Sequence, residues 1–221
     1  MKKKVKNAEE LKDAYIDYVL SHGAKPASVY LFAKEHGMTE SDFYNFYGSF
    51  DGIEQSVWTE LISKAIREVQ SQDIWNQYSS REKSLAFFYG FIELLKSKRS
   101  FAMYSLANPA PKIGTPDVLK GLKEQFDLFT TEILNQGLES GELANRRFLS
   151  SKYKDALWIQ FGVIIHFWMK DNSTSFEKTD EAIERGINLT FDLFEKSPLD
   201  SLFEYGKFMM NNGGIKSAMN F

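Results

Sequence analysis

The sequence predicts an all-α protein, and three observations predict it. Apolar residues recur at three- and four-residue intervals along nearly the whole chain. Residues that cap helices stand at the starts of these runs, and glycine or proline stands at their ends. No stretch shows the strict apolar–polar alternation of a half-buried strand, and no internal repeat or low-complexity segment breaks the pattern.

The first helix is expected over residues 8–21, with Leu11, Tyr15, Tyr18 and Val19 on one face and His22-Gly23 as its stop. Ala27 or Ser28 opens a short second helix, Val29 to His36, ended by Gly37. Thr39 caps a third short helix, and Asp42 at its third position complements the helix dipole. Phe43, Tyr44, Phe46 and Tyr47 give it an aromatic surface, and Gly48-Ser49 breaks it. Asp51 or Gly52 begins a longer helix to about Gln70. Ser79 with Glu82 forms a capping box for a helix reaching about Lys98, and Ser100 to Leu106 adds one or two turns. After the proline-containing connector 108–116, Pro116 occupies the first turn of a helix to Glu139, stopped by Ser140-Gly141. Residues 148–169 form the most apolar helix and 177–195 a strongly amphipathic one. Ser197-Pro198 ends it, and a short helix over 199–210 precedes a glycine-containing tail.

With 221 residues and 43% hydrophobic content, the chain can hold one large domain or a small one joined to a larger one. The division expected is 1–50, 51–198 and 199–221. The absence of cysteine excludes disulfides, thiolate metal sites and cysteine nucleophiles. The longest apolar run, Trp158 to Met169, is interrupted by Gln160 and His166 and falls short of the ~18–20 residues that span a bilayer. The basic N-terminus, with Lys2, Lys3, Lys4 and Lys6, leads into a charged amphipathic helix rather than an apolar signal segment, so a cytoplasmic location is expected. The net charge of −3 gives no global sign of a nucleic-acid partner, although an acidic body can mask a small basic head. The 15% aromatic content, with 19 Phe, fits a bulky core or the lining of a cavity for an apolar ligand.

Two short helices joined by a glycine turn, with a third in front, are the parts of a helix-turn-helix reader. Between His22 and Ile53 the sequence resembles, without a gap, the signature of the TetR family of transcriptional regulators. The matching residues are Gly23, Ser28-Val29, Phe32-Ala33, Gly37-Met38, Thr39, Phe43-Tyr44, Tyr47 and Ile53. The resemblance covers roughly residues 8–60. It implies a three-helix DNA-binding head followed by a larger helical ligand-binding and dimer-forming bundle, with Ala33 at the helix crossing and Tyr44 facing a DNA phosphate. Val29, Phe32, Phe43, Phe46 and Tyr47 are expected in the core of the head. The candidate DNA contacts are Lys25, Ser28, Thr39, Ser41, Asp42, Tyr44 and Asn45, while Tyr30 either stacks on a sugar or only packs. Two departures stand out. Phe50 occupies a position where the family usually has lysine, and Lys25 and Lys34 face Glu35, Glu40, Asp42 and Asp51, a net charge of −2 over residues 25–53.

In the family, central helices bind a small molecule and the last two long helices form the dimer interface. A pocket for a hydrophobic or aromatic effector is accordingly expected between the helices at 81–98, 117–139 and 148–169. Its candidate lining is Phe87, Phe91, Leu94, Met103, Tyr104, Phe126, Phe129, Phe161 and His166, the histidine being either a satisfied core residue or the polar handle. Candidate dimer contacts are Trp158, Gly162, Ile165 and Trp168 on one helix and Ile183, Gly186, Ile187, Thr190 and Phe194 on the other, the alternative being packing within the monomer. His22, His36 and His166 lie far apart and no nucleophile, metal-ligand, P-loop or dinucleotide motif occurs, so neither catalysis nor a cofactor is expected. The function expected is a ligand-responsive regulator, most simply a repressor, that binds operator DNA as a homodimer. The alternative is a carrier of the same fold that has lost DNA binding.

Overall fold

Short polar side chains fix where the helices begin. In the computed structural model, which describes residues 5–107, 114–146, 150–195 and 207–208, Asn7, Ser28, Thr39, Ser49 and Ser79 each accept a bond from a backbone N–H of the first helical turn. Thr39 with Asp42 and Ser79 with Glu82 close full capping boxes. The described residues form α1 (Ala8–His22), α2 (Val29–Glu35), α3 (Glu40–Phe46), α4 (Phe50–Gln70), α5 (Ser80–Lys96), α6 (Arg99–Leu106), α7 (Lys120–Ser140), α8 (Tyr153–Lys170) and α9 (Glu177–Phe194). They contain no strand.

Three boundaries differ from expectation for local reasons. Helix α4 starts at Phe50 because the Ser49 hydroxyl accepts from the amide of Gly52. A 3-10 turn over Asp117–Leu119 separates Pro116 from α7, and another over Ser150–Lys152 precedes α8. The expected helix at 199–210 and the lysine arm at 2–4 lie outside the described residues, apart from Lys207 and Phe208, which are helical.

The head, α1–α3, is held by rings. Phe32 meets Tyr15, Phe43 and Phe50 edge-on at centroid distances of 6.4, 6.4 and 5.5 Å, and Tyr15 stacks on Phe50 at 5.3 Å. Phe50 is the first residue of α4, so its ring joins α4 to the core of the head. In the body, α4 packs on α5 and α7, α7 on α8, and α9 on both α5 and α8. Helix α6 also reaches α1, so head and body meet there as well as along α4.

The turn between α8 and α9 is a polar clamp. The Arg99 guanidinium donates to the carbonyls of Trp168, Met169 and Asp171 at 2.8–3.1 Å and lies between the rings of Trp168 and Phe176. Ser175 and Phe176 sit at positive φ, 54° and 63°, a conformation costly for residues other than glycine and held only by its surroundings. Asp171 supplies part of that support: its carboxylate accepts from the amide and hydroxyl of both Ser173 and Thr179 at 2.7–2.9 Å. Burial alone would raise the Asp171 carboxyl, but the bonds from Thr179 and Ser173 outweigh it and hold the group at about 2. No helix among the described residues is long and apolar enough to cross a membrane.

Candidate DNA face, effector cavity and dimer face

The three faces differ in where the expected residues fall. On the head, Gly37 turns the chain between α2 and α3 at φ 65°, and buried Phe43 anchors α3 on the head's core. Ser41, Tyr44 and Asn45 are exposed along α3, as is Tyr30 on α2. Phe46, expected in the core, is also exposed, whereas Val29 and Tyr47 are half-buried. The hydroxyls of Ser28 and Thr39 cap α2 and α3, and the Asp42 carboxylate completes the second cap by accepting from the Thr39 amide. Lys25, another of the expected contacts, lies in the loop between α1 and α2. Its ammonium turns toward the seam between head and body, where it binds Asp51 and lies 3.4 Å from Glu54. Burial alone would lower the Lys25 ammonium, but Asp51 and Glu54 outweigh it and raise the group.

Glu54 is the hub of that seam. Only 3% exposed, its carboxylate accepts from Tyr15 Oη of α1 at 2.6 Å and from Ser105 Oγ of α6 at 2.8 Å. Ser105 in turn accepts from Trp58 Nε1 at 3.0 Å. Burial, reinforced by Glu54, pushes the Tyr15 and Tyr104 phenols above their ordinary value. Four parts of the chain (α1, the α1–α2 loop, α4 and α6) thus converge on one carboxylate. Sequence reasoning missed it, because an isolated glutamate in an amphipathic helix carries no sign of burial.

A cavity of about 720 Å³ opens beside this hub, in the size range of small-molecule sites. Lys25, Asp51, Glu54, Trp58 and Ser105 line its seam side, residues 114–120 cover it, and Trp158, Phe161, Ile165, His166 and Met169 of α8 form the far wall. Of the expected lining, only Phe161 and His166 are found here. Phe87, Phe91, Phe126 and Phe129 instead fill the core around Phe161, with centroid separations of 5.0–5.9 Å that leave no room for a ligand. Met103 is exposed, Leu94 and Tyr104 are half-buried, and none of them lines the cavity.

On the last two helices, most of the residues expected at a subunit interface are taken up by packing within the monomer. Ile183, Ile187, Thr190 and Phe194 are buried within the monomer, as are Ile165 and Trp168. Trp158 stacks on Phe161 and lines the cavity, and Gly186 lies against Gln160 of α8. Gly162 faces open space. The stripe with the strongest helical periodicity was therefore the one that serves the core. The opposite faces carry Ile159 (66% exposed), Val163 (54%) and Phe167 (41%) on α8, and Leu189 (62%) and Leu193 (64%) on α9. Spaced four residues apart on each helix, they form apolar rows left exposed among the described residues, with Ile159 at the rim of the cavity.

Residues 83–209, more than half of the chain, match the tetracyclin repressor-like C-terminal domain. The chain belongs to the TetR family. Solved structures carry the same fold. A protein from Shewanella sp. PV-4 assigned to the TetR family of transcription regulators superposes with a TM-score of 0.59 at 13% identity, covering 87% of this chain and 100% of its own. The fatty acid degradation regulator FadR from Bacillus halodurans gives 0.57 at 19%, covering 86% and 97%. A protein of unknown function from Rhodococcus sp. RHA1 gives 0.56 at 15%, covering 84% and 96%. No curated protein matches the chain by sequence.

Proposed function

We propose that this TetR-family chain is an effector-responsive regulator, acting as a repressor, that binds operator DNA as a homodimer. One observation carries the reading: Lys25, Asp51 and Glu54, which tie the head to the body, also line the cavity. A molecule in the cavity therefore touches the residues that set the position of the head. The exposed rows Ile159–Val163–Phe167 and Leu189–Leu193 are the surface on which a second copy would pack, forming an isologous four-helix contact. Two heads so joined present their α3 helices to successive major grooves, ~34 Å apart, with Ser41, Tyr44 and Asn45 toward the DNA.

Release follows from differential affinity. An effector that binds better when the heads sit at another spacing shifts the population away from the DNA-bound form. Footprinting on the chain's own upstream DNA tests the reading. Two protected half-sites about one turn apart are expected, and a monomer at micromolar concentration that protects nothing would contradict it.

The acidity of the head favours a second reading, a ligand carrier without DNA binding. Over residues 5–50, Lys6, Lys12, Lys25 and Lys34 stand against Glu9, Glu10, Asp13, Asp17, Glu35, Glu40 and Asp42. Two of these lysines are already engaged, Lys12 with Glu9 and Glu60 and Lys25 with Asp51 and Glu54. Affinity for any duplex comes mainly from cations at phosphates, so this head has little of that component within its described residues.

A further inference from the structure

The cavity has two unlike ends, and the charges at one of them do not cancel. On its cover, Asp117 and Lys120 pair at 2.7 Å and balance each other. At the seam, two carboxylates, Asp51 and Glu54, share one ammonium, Lys25. Among the described residues that end carries a net charge of −1, set against aromatic and aliphatic side chains of α4 and α8 that include Trp58 and Trp158.

Glu54 also keeps acceptor capacity in hand. A carboxylate offers about four acceptor sites, and the Tyr15 hydroxyl, the Ser105 hydroxyl and the Lys25 ammonium engage three of them. Both hydroxyls donate to it, as they would to an anion. A second cation at the seam would meet a free acceptor and an excess of negative charge, with apolar walls beyond for the rest of the molecule. A carboxylate or phosphate ligand at the seam would meet repulsion from two anions, and Lys25, the ammonium that the described residues place there, is already shared between them.

We propose that the effector of this cavity is a cationic amphiphile, an organic ammonium whose charged group lies beside Glu54 and Asp51 and whose apolar body lies along α8. This rests on the reading of the cavity as the effector site and specifies the class of ligand it takes. Charge separates the ligand classes here, because an apolar chain of given length buries the same area whichever headgroup it carries.

Trp58 and Trp158 supply the readout, since both line the cavity. Tryptophan emission of the full-length protein is titrated with dodecyltrimethylammonium, dodecanol and dodecanoate, all below their aggregation thresholds. The ammonium is expected to bind at least ten-fold tighter than dodecanoate, with dodecanol between them. Asp51→Asn neutralises the excess charge and should bring the two charged probes within about three-fold of each other. Lys25→Gln removes the one balancing cation and should widen the gap. Asp51 and Lys25 are both partly exposed, so both variants are expected to fold, and they move the preference in opposite directions. Equal or tighter binding of dodecanoate, or a preference that neither substitution alters, would overturn the charge assignment and leave the effector site standing. If none of the three probes, dodecanol included, changes the emission, the cavity is not the effector site and both readings fall.

Discussion

Replacing Glu54 tests whether one carboxylate holds head and body together. In the native chain it receives hydrogen bonds from two buried hydroxyls, those of Tyr15 and Ser105, and lies beside the Lys25 ammonium. Hydrogen bonds to a charged group contribute about 1.5–3 kcal/mol each. Glu54→Ala also takes from the fully buried Tyr15 hydroxyl its carboxylate acceptor and from Ser105 the same, so a loss of about 3–5 kcal/mol is expected. Glu54→Gln keeps the shape and one acceptor, and should cost only about 1–2 kcal/mol. Urea unfolding at fixed protein concentration reads the difference, and for the alanine variant the midpoint should fall by more than about 1 M. Pairing Glu54→Gln with Tyr15→Phe should give a coupling energy of at least about 0.5 kcal/mol, as expected of groups in direct contact. An alanine variant within about 0.5 kcal/mol of the parent chain would refute the reasoning, because changes of that size are typical of surface positions.

Acid should unfasten the α8–α9 turn at a defined place. Asp171 is held near 2 in the folded chain against an ordinary 3.8, so its contribution, on the order of 2 kcal/mol, is complete above about pH 4 and fades as pH falls toward 2. Thermal melts of Asp171→Asn should lack that part of the acid slope; an identical slope would show that the carboxylate is not held by its bonds. Phe32→Ala removes the ring on which Tyr15, Phe43 and Phe50 converge and should cost about 3–5 kcal/mol, read by chemical denaturation. Val163→Glu and Leu189→Glu place charges in the exposed apolar rows. Each should weaken self-association by a hundred-fold or more in sedimentation equilibrium with folding intact, and unchanged association would move the interface elsewhere.

Local chemistry made most of the fold legible. Thr39 with Asp42, Ser79 with Glu82 and the left-handed glycines Gly23, Gly37 and Gly141 announce helix ends in three or four residues each, and the helices lie where those signals put them. The turn at Ser175 and Phe176 was not legible, because their positive φ depends on Arg99 and Asp171, one of them more than seventy residues away in sequence. The aromatic residues were the least informative about the site. Phe87, Phe91, Phe126 and Phe129 have the composition of a pocket, but ring-to-ring contact uses the space they surround. The cavity instead opens beside a glutamate, a lysine and an aspartate whose spacing in sequence suggests nothing. Periodicity likewise marked the inward apolar face of α9, with Ile183 and Ile187, but not Leu189 and Leu193, which stand exposed among its charged residues.

Fluorescence anisotropy of the full-length protein on its own upstream DNA, beside an unrelated duplex of equal length and at two salt concentrations, tests the central claim most directly. Tighter binding to the upstream duplex, weakening as salt rises, is the result the account predicts. Equal and negligible binding to both duplexes, even at the lower salt, would contradict it and leave the chain a carrier with a cavity and no DNA to leave.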